Sequence, residues 1–315
     1  MGFAKEAKMQ ILKSSLENDC CGLAFLSGLL LSCGEYDLKN KQVSFITDIP
    51  KLLDFCNEIL LQLYGEKAVL NSEPNLNINK KSIYRITFPQ KNLFEMLKDF
   101  GLINENGILK ISEIDEHLIK EKCCKKSFIK GFFIGCATSG INLDKISETS
   151  AGYDIEFISH SYKMLLQFSK LLAEFDIFPK IAKRKNHYVL YLKESSMVCD
   201  LLALMQAFDS VLALQSELTI RELRNKINRQ TNCINANISK TVNSSLRQLE
   251  AIDLISNVLG LEVLPLDLQE ICLLRLANAE ESLNELVKLS NSKYSKSTLN
   301  NKLNKIIKIA KNLDA

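Results

Sequence analysis

Apolar positions along the chain follow two different spacings. Between Pro50 and Tyr64 they recur as Leu52, Phe55, Cys56 and Ile59, the three-and-four spacing of one helix face. The stretches "KQVSFIT" (Lys41–Thr47) and "SIYRITFP" (Ser82–Pro89) instead set β-branched and aromatic residues between turn formers, which predicts strands. A helix is expected from Lys91 to Phe100. The same succession returns further on. "GYDIEFIS" (Gly152–Ser159) reads as extended and Ser161–Phe175 as a helix. "KIAKRKNHYVLYLK" (Lys180–Lys193) is extended again, and a helix follows over Ser195–Ala207. Val69 to Leu76 fits neither spacing cleanly.

Each succession opens on a more evenly apolar helix, "CCGLAFLSGLLLSCGE" (Cys20–Glu35) and "CCKKSFIKGFFIGCATS" (Cys123–Ser139). Setting Gly28 on Gly131 places Cys20 on Cys123, Phe25 on Phe128, Leu30 on Phe133 and Cys33 on Cys136. Small residues lie four apart in both, Gly28 with Ser32 and Gly131 with Gly135, a spacing that lets two helix backbones approach closely. With each extended region a hairpin, each half reads α-β-β-α-β-β-α, over about 20–105 and about 123–207.

The last segment has a different plan. Ser282 can cap a short helix bearing Leu283, Leu286 and Leu289, "SNSKY" makes a turn, and Ser295 can cap a second helix. Leu299, Leu303, Ile306 and Ala310 share one face of that helix. Lys296, Ser297, Asn300, Asn301, Lys302, Asn304, Lys305 and Lys308 make its polar side. Two helices joined by a short turn, the second polar outward, fit a DNA-reading helix-turn-helix. A solvated lysine face on a helical cap is the plainer alternative. From Ser282 onward the lysines are 288, 293, 296, 302, 305, 308 and 311, against Glu285 and Asp314.

Composition narrows the class. The 315 residues suit two domains, 46% hydrophobic content suffices for real cores, and a net charge of +3 makes local charge more telling than the total. No apolar run reaches a membrane span and no h-region follows Met1, so the expectation is a cytoplasmic protein without a membrane partner, and nucleoid-associated if the tail binds DNA. In that compartment the ten cysteines are reduced. Cys20-Cys21 and Cys123-Cys124 are adjacent pairs rather than C-x-x-C, so spacing points to buried structural thiols, with no metal and no cofactor.

The two glycine helices resemble those of the LAGLIDADG homing endonucleases in single-chain, pseudo-dimeric form. The motif matches "LSGLLLSCG" (Leu26–Gly34) and "IKGFFIGCA" (Ile129–Ala137). In active nucleases its eighth position is an acid, and the pair holds the metal ions that activate water. Here the eighth positions are Cys33 and Cys136, and a neutral thiol cannot replace a hard carboxylate on magnesium. Glu35 and Ser139, just beyond, do not restore the pair. The whole chain resembles the WhiA family of sporulation and cell-division regulators, which join a degenerate LAGLIDADG domain to a helix-turn-helix like sigma region 4. The glycine helices carry this resemblance. So do "YVLYLKES" (Tyr188–Ser195) with Ala207–Thr241, and Leu264–Ile306. Asn301 and Lys302 depart from the family, where histidine and arginine are usual.

The resemblance implies an α+β fold: a pseudo-two-fold LAGLIDADG-like domain over 1–215, an Asn/Arg-rich linker over 216–239, and an all-α helix-turn-helix domain over 240–315. It implies a non-catalytic, sequence-specific binder of double-stranded DNA that regulates transcription in cell division and chromosome segregation, with other transcription or cell-division proteins as further partners. Two rival functions are a metal-dependent endonuclease and an adaptor that binds protein through its LAGLIDADG-like domain. Within the linker, Arg224, Asn225, Asn228, Arg229 and Asn232 can fix the joint between domains, touch DNA phosphates, or reflect an asparagine-rich composition. Lys180, Lys183, Arg184 and Lys185 either add backbone contacts or form a solvated hairpin.

Overall fold

The computed structural model describes residues 2–72, 82–143 and 152–313. Residues 73–76 of the unassigned stretch after Val69, and Asp314, lie outside the described residues. The chain divides into two compact units, 1–219 and 220–315.

In the first unit the repeat is structural. After α1 (Phe3–Ile11), which no sequence pattern announced, the first half runs α2 (Asp19–Cys33), β1 (Gly34–Asp37), β2 (Gln42–Thr47), α3 (Leu52–Tyr64), β3 (Val69–Ser72), β4 (Tyr84–Thr87) and α4 (Leu93–Asp99). The second runs α5 (Lys122–Cys136), β5 (Ala137–Ser139), β6 (Ile155–Ser159), α6 (Tyr162–Ala173), β7 (Lys180–Arg184), β8 (His187–Leu192) and α7 (Ser195–Leu204). Each half builds one antiparallel sheet, ordered β1-β2-β4-β3 and β5-β6-β8-β7. The expected helices end early, at Cys33 and Cys136, because both chains turn straight into a strand. Gly34 is already extended (φ −69°, ψ 141°), and the Tyr36 hydroxyl donates to the Leu30 carbonyl at 2.7 Å across that corner.

The two apolar helices form the centre. A Cβ on Gly28 would collide with the Phe128 carbonyl oxygen, one on Gly131 with the Phe25 carbonyl oxygen, and one on Gly135 with the Ser32 hydroxyl. Early residues of α2 thus face early residues of α5, and late face late, so the helices run side by side in parallel about a pseudo-two-fold axis. Aromatic rings fill the space around them: Phe25 lies 4.8 Å from Phe55, and Phe132 stacks on Phe168 at 4.2 Å. Both apolar helices bury residues around most of their circumference, which explains why neither shows a polar stripe.

Helix α8 (Phe208–Val258) crosses the boundary between the units, and residues 216–239, expected as an Asn/Arg-rich linker, are helical throughout. Then come α9 (Leu266–Ala277), α10 (Leu283–Leu289) and α11 (Lys296–Leu313). Their core joins Ile252 and Ile255 of α8 to Leu268, Ile271, Cys272, Leu286, Leu299, Leu303 and Ile306.

Candidate nucleic-acid interface

The tail forms as its caps foretell. Ser282 accepts from the Glu285 amide at 3.3 Å and Ser295 from the Thr298 amide at 3.2 Å, so each helix begins with a satisfied donor. Leu299, Leu303, Ile306 and Ala310 are buried on one side of α11. At about 3.6 residues per turn, Ser297, Asn301, Asn304 and Lys308 point directly away from that side, and all four are exposed. Lys305 flanks them, also exposed, and Lys296 is exposed as the first residue of the helix, toward the Asn300 side. Asn300 is half-buried at the edge. Lys302 lies on the other shoulder, ion-paired with Asp267 of α9 and 5.7 Å from the centre of the Tyr294 ring. Its ammonium holds the Asp267 carboxyl below the usual carboxylate range. Five of the eight polar residues on α11 therefore share one open face, whereas Lys296 and Asn300 sit to one side of it and Lys302 is engaged in joining α9 to α11.

At the C-terminal ends of α2 and α5 the two motif positions lie within electrostatic reach of a lysine. Cys33 donates to the Leu29 carbonyl at 3.3 Å and Cys136 to the Phe132 carbonyl at 3.5 Å. Burial pushes the Cys33 thiol up to about 12 and drives Cys136 up as well, so both stay protonated and neutral. Lys8 of α1 approaches them closely enough to feel both sulfurs, and burial lowers its own ammonium. Glu35, the nearest acid in sequence, is ion-paired with Arg85. Where an active relative would present two carboxylates, this chain presents two thiols and an ammonium.

Two family models match: the WhiA LAGLIDADG-like domain over residues 125–224 and the WhiA C-terminal HTH domain over 227–310. Curated proteins described as probable cell division protein WhiA are similar along their whole length. That of Clostridium acetobutylicum (strain ATCC 824) is 33% identical over 99% of this chain and 98% of its own. That of Clostridium botulinum (strain Hall) is 32% identical over 99% of both. The chain belongs to the WhiA family. A solved structure described as full-length DUF199/WhiA from "Thermatoga maritima" superposes with a TM-score of 0.58, at 25% identity and 99% coverage of both chains. The WhiA architecture of a LAGLIDADG domain followed by a helical HTH domain is thus the architecture of this chain.

Within this WhiA frame, Arg224, Asn225, Asn228, Arg229 and Asn232 fall on one side of α8 and are all exposed. Leu223, Ile227, Ile234 and Ile238 fall on the opposite side, each more than half exposed. The Arg229 guanidinium donates to the Asn225 carbonyl at 3.2 Å, a bond within the helix. On the β7–β8 hairpin, Arg184 makes a two-pronged pair with Glu156 at 2.7 and 2.9 Å, while Lys180, Lys183 and Lys185 remain exposed. One buried residue escaped sequence reasoning. Arg275 is 1% exposed, donates to the Gln248 side chain at 2.8 Å and to the Glu281 carbonyl at 2.7 Å, and so fixes the turn before α10. An arginine on an apolar helix face was its only signal.

Proposed function

We propose that this chain is a non-catalytic, sequence-specific DNA-binding protein that regulates transcription in cell division and chromosome segregation, acting on the nucleoid in the cytoplasm. The observation that carries the reading is the open face of α11. It bears Ser297, Asn301, Asn304 and Lys308 on the second helix of a family-matched HTH domain. Asparagine can pair with adenine N6 and N7 in the major groove, and lysine with phosphate or guanine. Among the residues assigned to DNA, Asn301 and Asn304 face outward and read bases. Lys296, Lys305 and Lys308 meet phosphates, and Asn300 and Lys302 support from the rim. The exposed Arg224, Asn225, Asn228, Arg229 and Asn232 of α8 form a second polar strip, which we assign to the DNA backbone. "Probable cell division protein", the description its relatives carry, supports the cellular setting.

The experiment is a titration of variants on a duplex selected by the protein and on a scrambled one, at fixed salt. Asn301→Ala and Asn304→Ala should each cost about 1–3 kcal/mol on the selected site and little on the scrambled one, while Lys308→Ala weakens both alike. An unchanged specific-to-random ratio in both asparagine variants refutes sequence reading by α11 and favours the adaptor. The same preparation, incubated with supercoiled plasmid and magnesium or manganese, should leave it uncut, since the neutral Cys33 and Cys136 thiols and the Lys8 ammonium offer no hard oxygen ligand. Nicking that co-purifies with the protein would restore the nuclease reading.

A further inference from the structure

The opposite ends of the two central helices hold a second constellation. Cys20 and Cys21 are the second and third residues of α2, and Cys123 and Cys124 are the second and third residues of α5. The pseudo-two-fold packing brings the two pairs together, and the four sulfur atoms lie within 4.8 Å of one another. Cys123 and Cys124 are 4.0 Å apart. A tetrahedral zinc site with Zn–S bonds of about 2.3 Å needs sulfurs about 3.8 Å apart, so modest side-chain rotations close the set.

From this geometry we propose that Cys20, Cys21, Cys123 and Cys124 form a structural zinc site that staples the two repeats together at the N-terminal ends of α2 and α5. Four thiolates are the donor set that selects zinc over the hard cations of nucleases, and a closed site with no open position suits a structural role. Burial among the other thiols pushes the Cys124 thiol up, so the negative charge of such a site needs the zinc ion itself together with the positive groups nearby. Neither helix start is capped by a side-chain hydrogen bond, so the sulfurs sit in the first turns beside uncapped backbone amides, an effect that Asp19 partly offsets on α2. The Lys130 ammonium is 5% exposed and held by Ser14 at 2.9 Å and Gln206 at 2.7 Å, and it lies close enough to feel the Cys21 sulfur. Cys21 and Cys124 are buried, Cys123 is half-buried and Cys20 is exposed, which gives the ion a way in. Binding displaces the thiol protons into solvent, so it tightens as pH rises.

The test uses the full chain and zinc itself. In the reduced, metal-free protein a maleimide should label the exposed Cys20 and Cys233 quickly. An equivalent of zinc should protect Cys20 and leave Cys233 as reactive as before. Cobalt(II) should produce the intense visible bands of a tetrahedral tetrathiolate, at a stoichiometry of about one ion per chain. Those bands should vanish in the Cys20→Ser, Cys123→Ser variant and persist in the Cys33→Ser, Cys136→Ser variant, which alters the same helices at their other ends. The proposal is overturned if zinc leaves the Cys20 labelling rate unchanged, or if the cobalt spectrum survives loss of Cys20 and Cys123. It is equally overturned if protein isolated from cells carries a Cys20–Cys123 disulfide, or iron in place of zinc.

Discussion

At the scale of single residues, the motif thiols define the chemistry that the central seam is able to support. In the folded chain Cys33 is raised to about 12 by burial, and Cys136 is raised for the same reason. A thiol whose folded value lies above its unfolded one contributes stability fully below the ordinary thiol range and loses it as pH climbs through the folded value. The expected outcome is a Tm that falls as pH rises from about 9 toward 12, with a shallower fall in the Cys33→Ser, Cys136→Ser variant. Thermal scans across that pH window check it, and equal slopes in both proteins would mean that these thiols do not drive the alkaline loss. None of this was legible in the sequence beyond the identity of the two residues. The motif alignment placed them, but Lys8 comes from a helix that carried no pattern of its own, and only folding set it beside them.

At the scale of elements, the close contact between α2 and α5 explains the glycines. A Cβ on Gly131 would strike backbone, the Phe25 carbonyl oxygen and the Leu29 amide, and backbone cannot rotate aside as a side chain can. Gly131→Ala should therefore destabilise the protein by about 3 kcal/mol, at the upper end of what overpacking costs, with Tm falling by several degrees. Gly2→Ala, whose added methyl meets nothing within 4 Å, is the control. A Gly131→Ala protein that melts with the control would mean the helices can slide apart without cost. The small-residue spacing made this contact readable in advance, since it only has to be matched by an equal helix. Helix α8 was less readable. Residues 222–240 are exposed throughout, their apolar positions Leu223, Ile227, Ile234 and Ile238 are sparse, and asparagine is a poor helix former. The helix is continuous even so, with its polar strip and its isoleucines on opposite sides.

At the scale of the whole molecule, duplex affinity is expected to depend on the second unit and on salt. A fragment ending at Asn237 keeps the first unit but loses the entire second core, from Ala251 to Ala310, and with it α11. It should lose most of the affinity of the full chain. In the intact protein, log affinity should fall against log salt with a slope of about −0.9 per phosphate contact, hence about −3.6 if the exposed Lys296, Lys305, Lys308 and Lys311 engage and about −5.4 if Arg224 and Arg229 of α8 do so as well. Full affinity in the fragment would move DNA binding to what it retains, the α8 strip with Arg224 and Arg229 or the exposed lysines of the β7–β8 hairpin, and these would become the first residues to mutate. What the sequence determined by itself was whatever depends on local spacing: the duplicated order of helices and strands, the helix-turn-helix caps, and the motif positions where acids are absent. What only the tertiary structure decided was which distant side chains meet. Lys302 turned from the open face to Asp267, Arg275 closed onto Gln248, and two adjacent-cysteine pairs converged within 4.8 Å. The physical reason is the same in each case. Periodicity fixes the direction a side chain takes from its own helix, whereas its partner is chosen by how whole helices pack, and for Cys20 and Cys123 that partner lies in the other repeat.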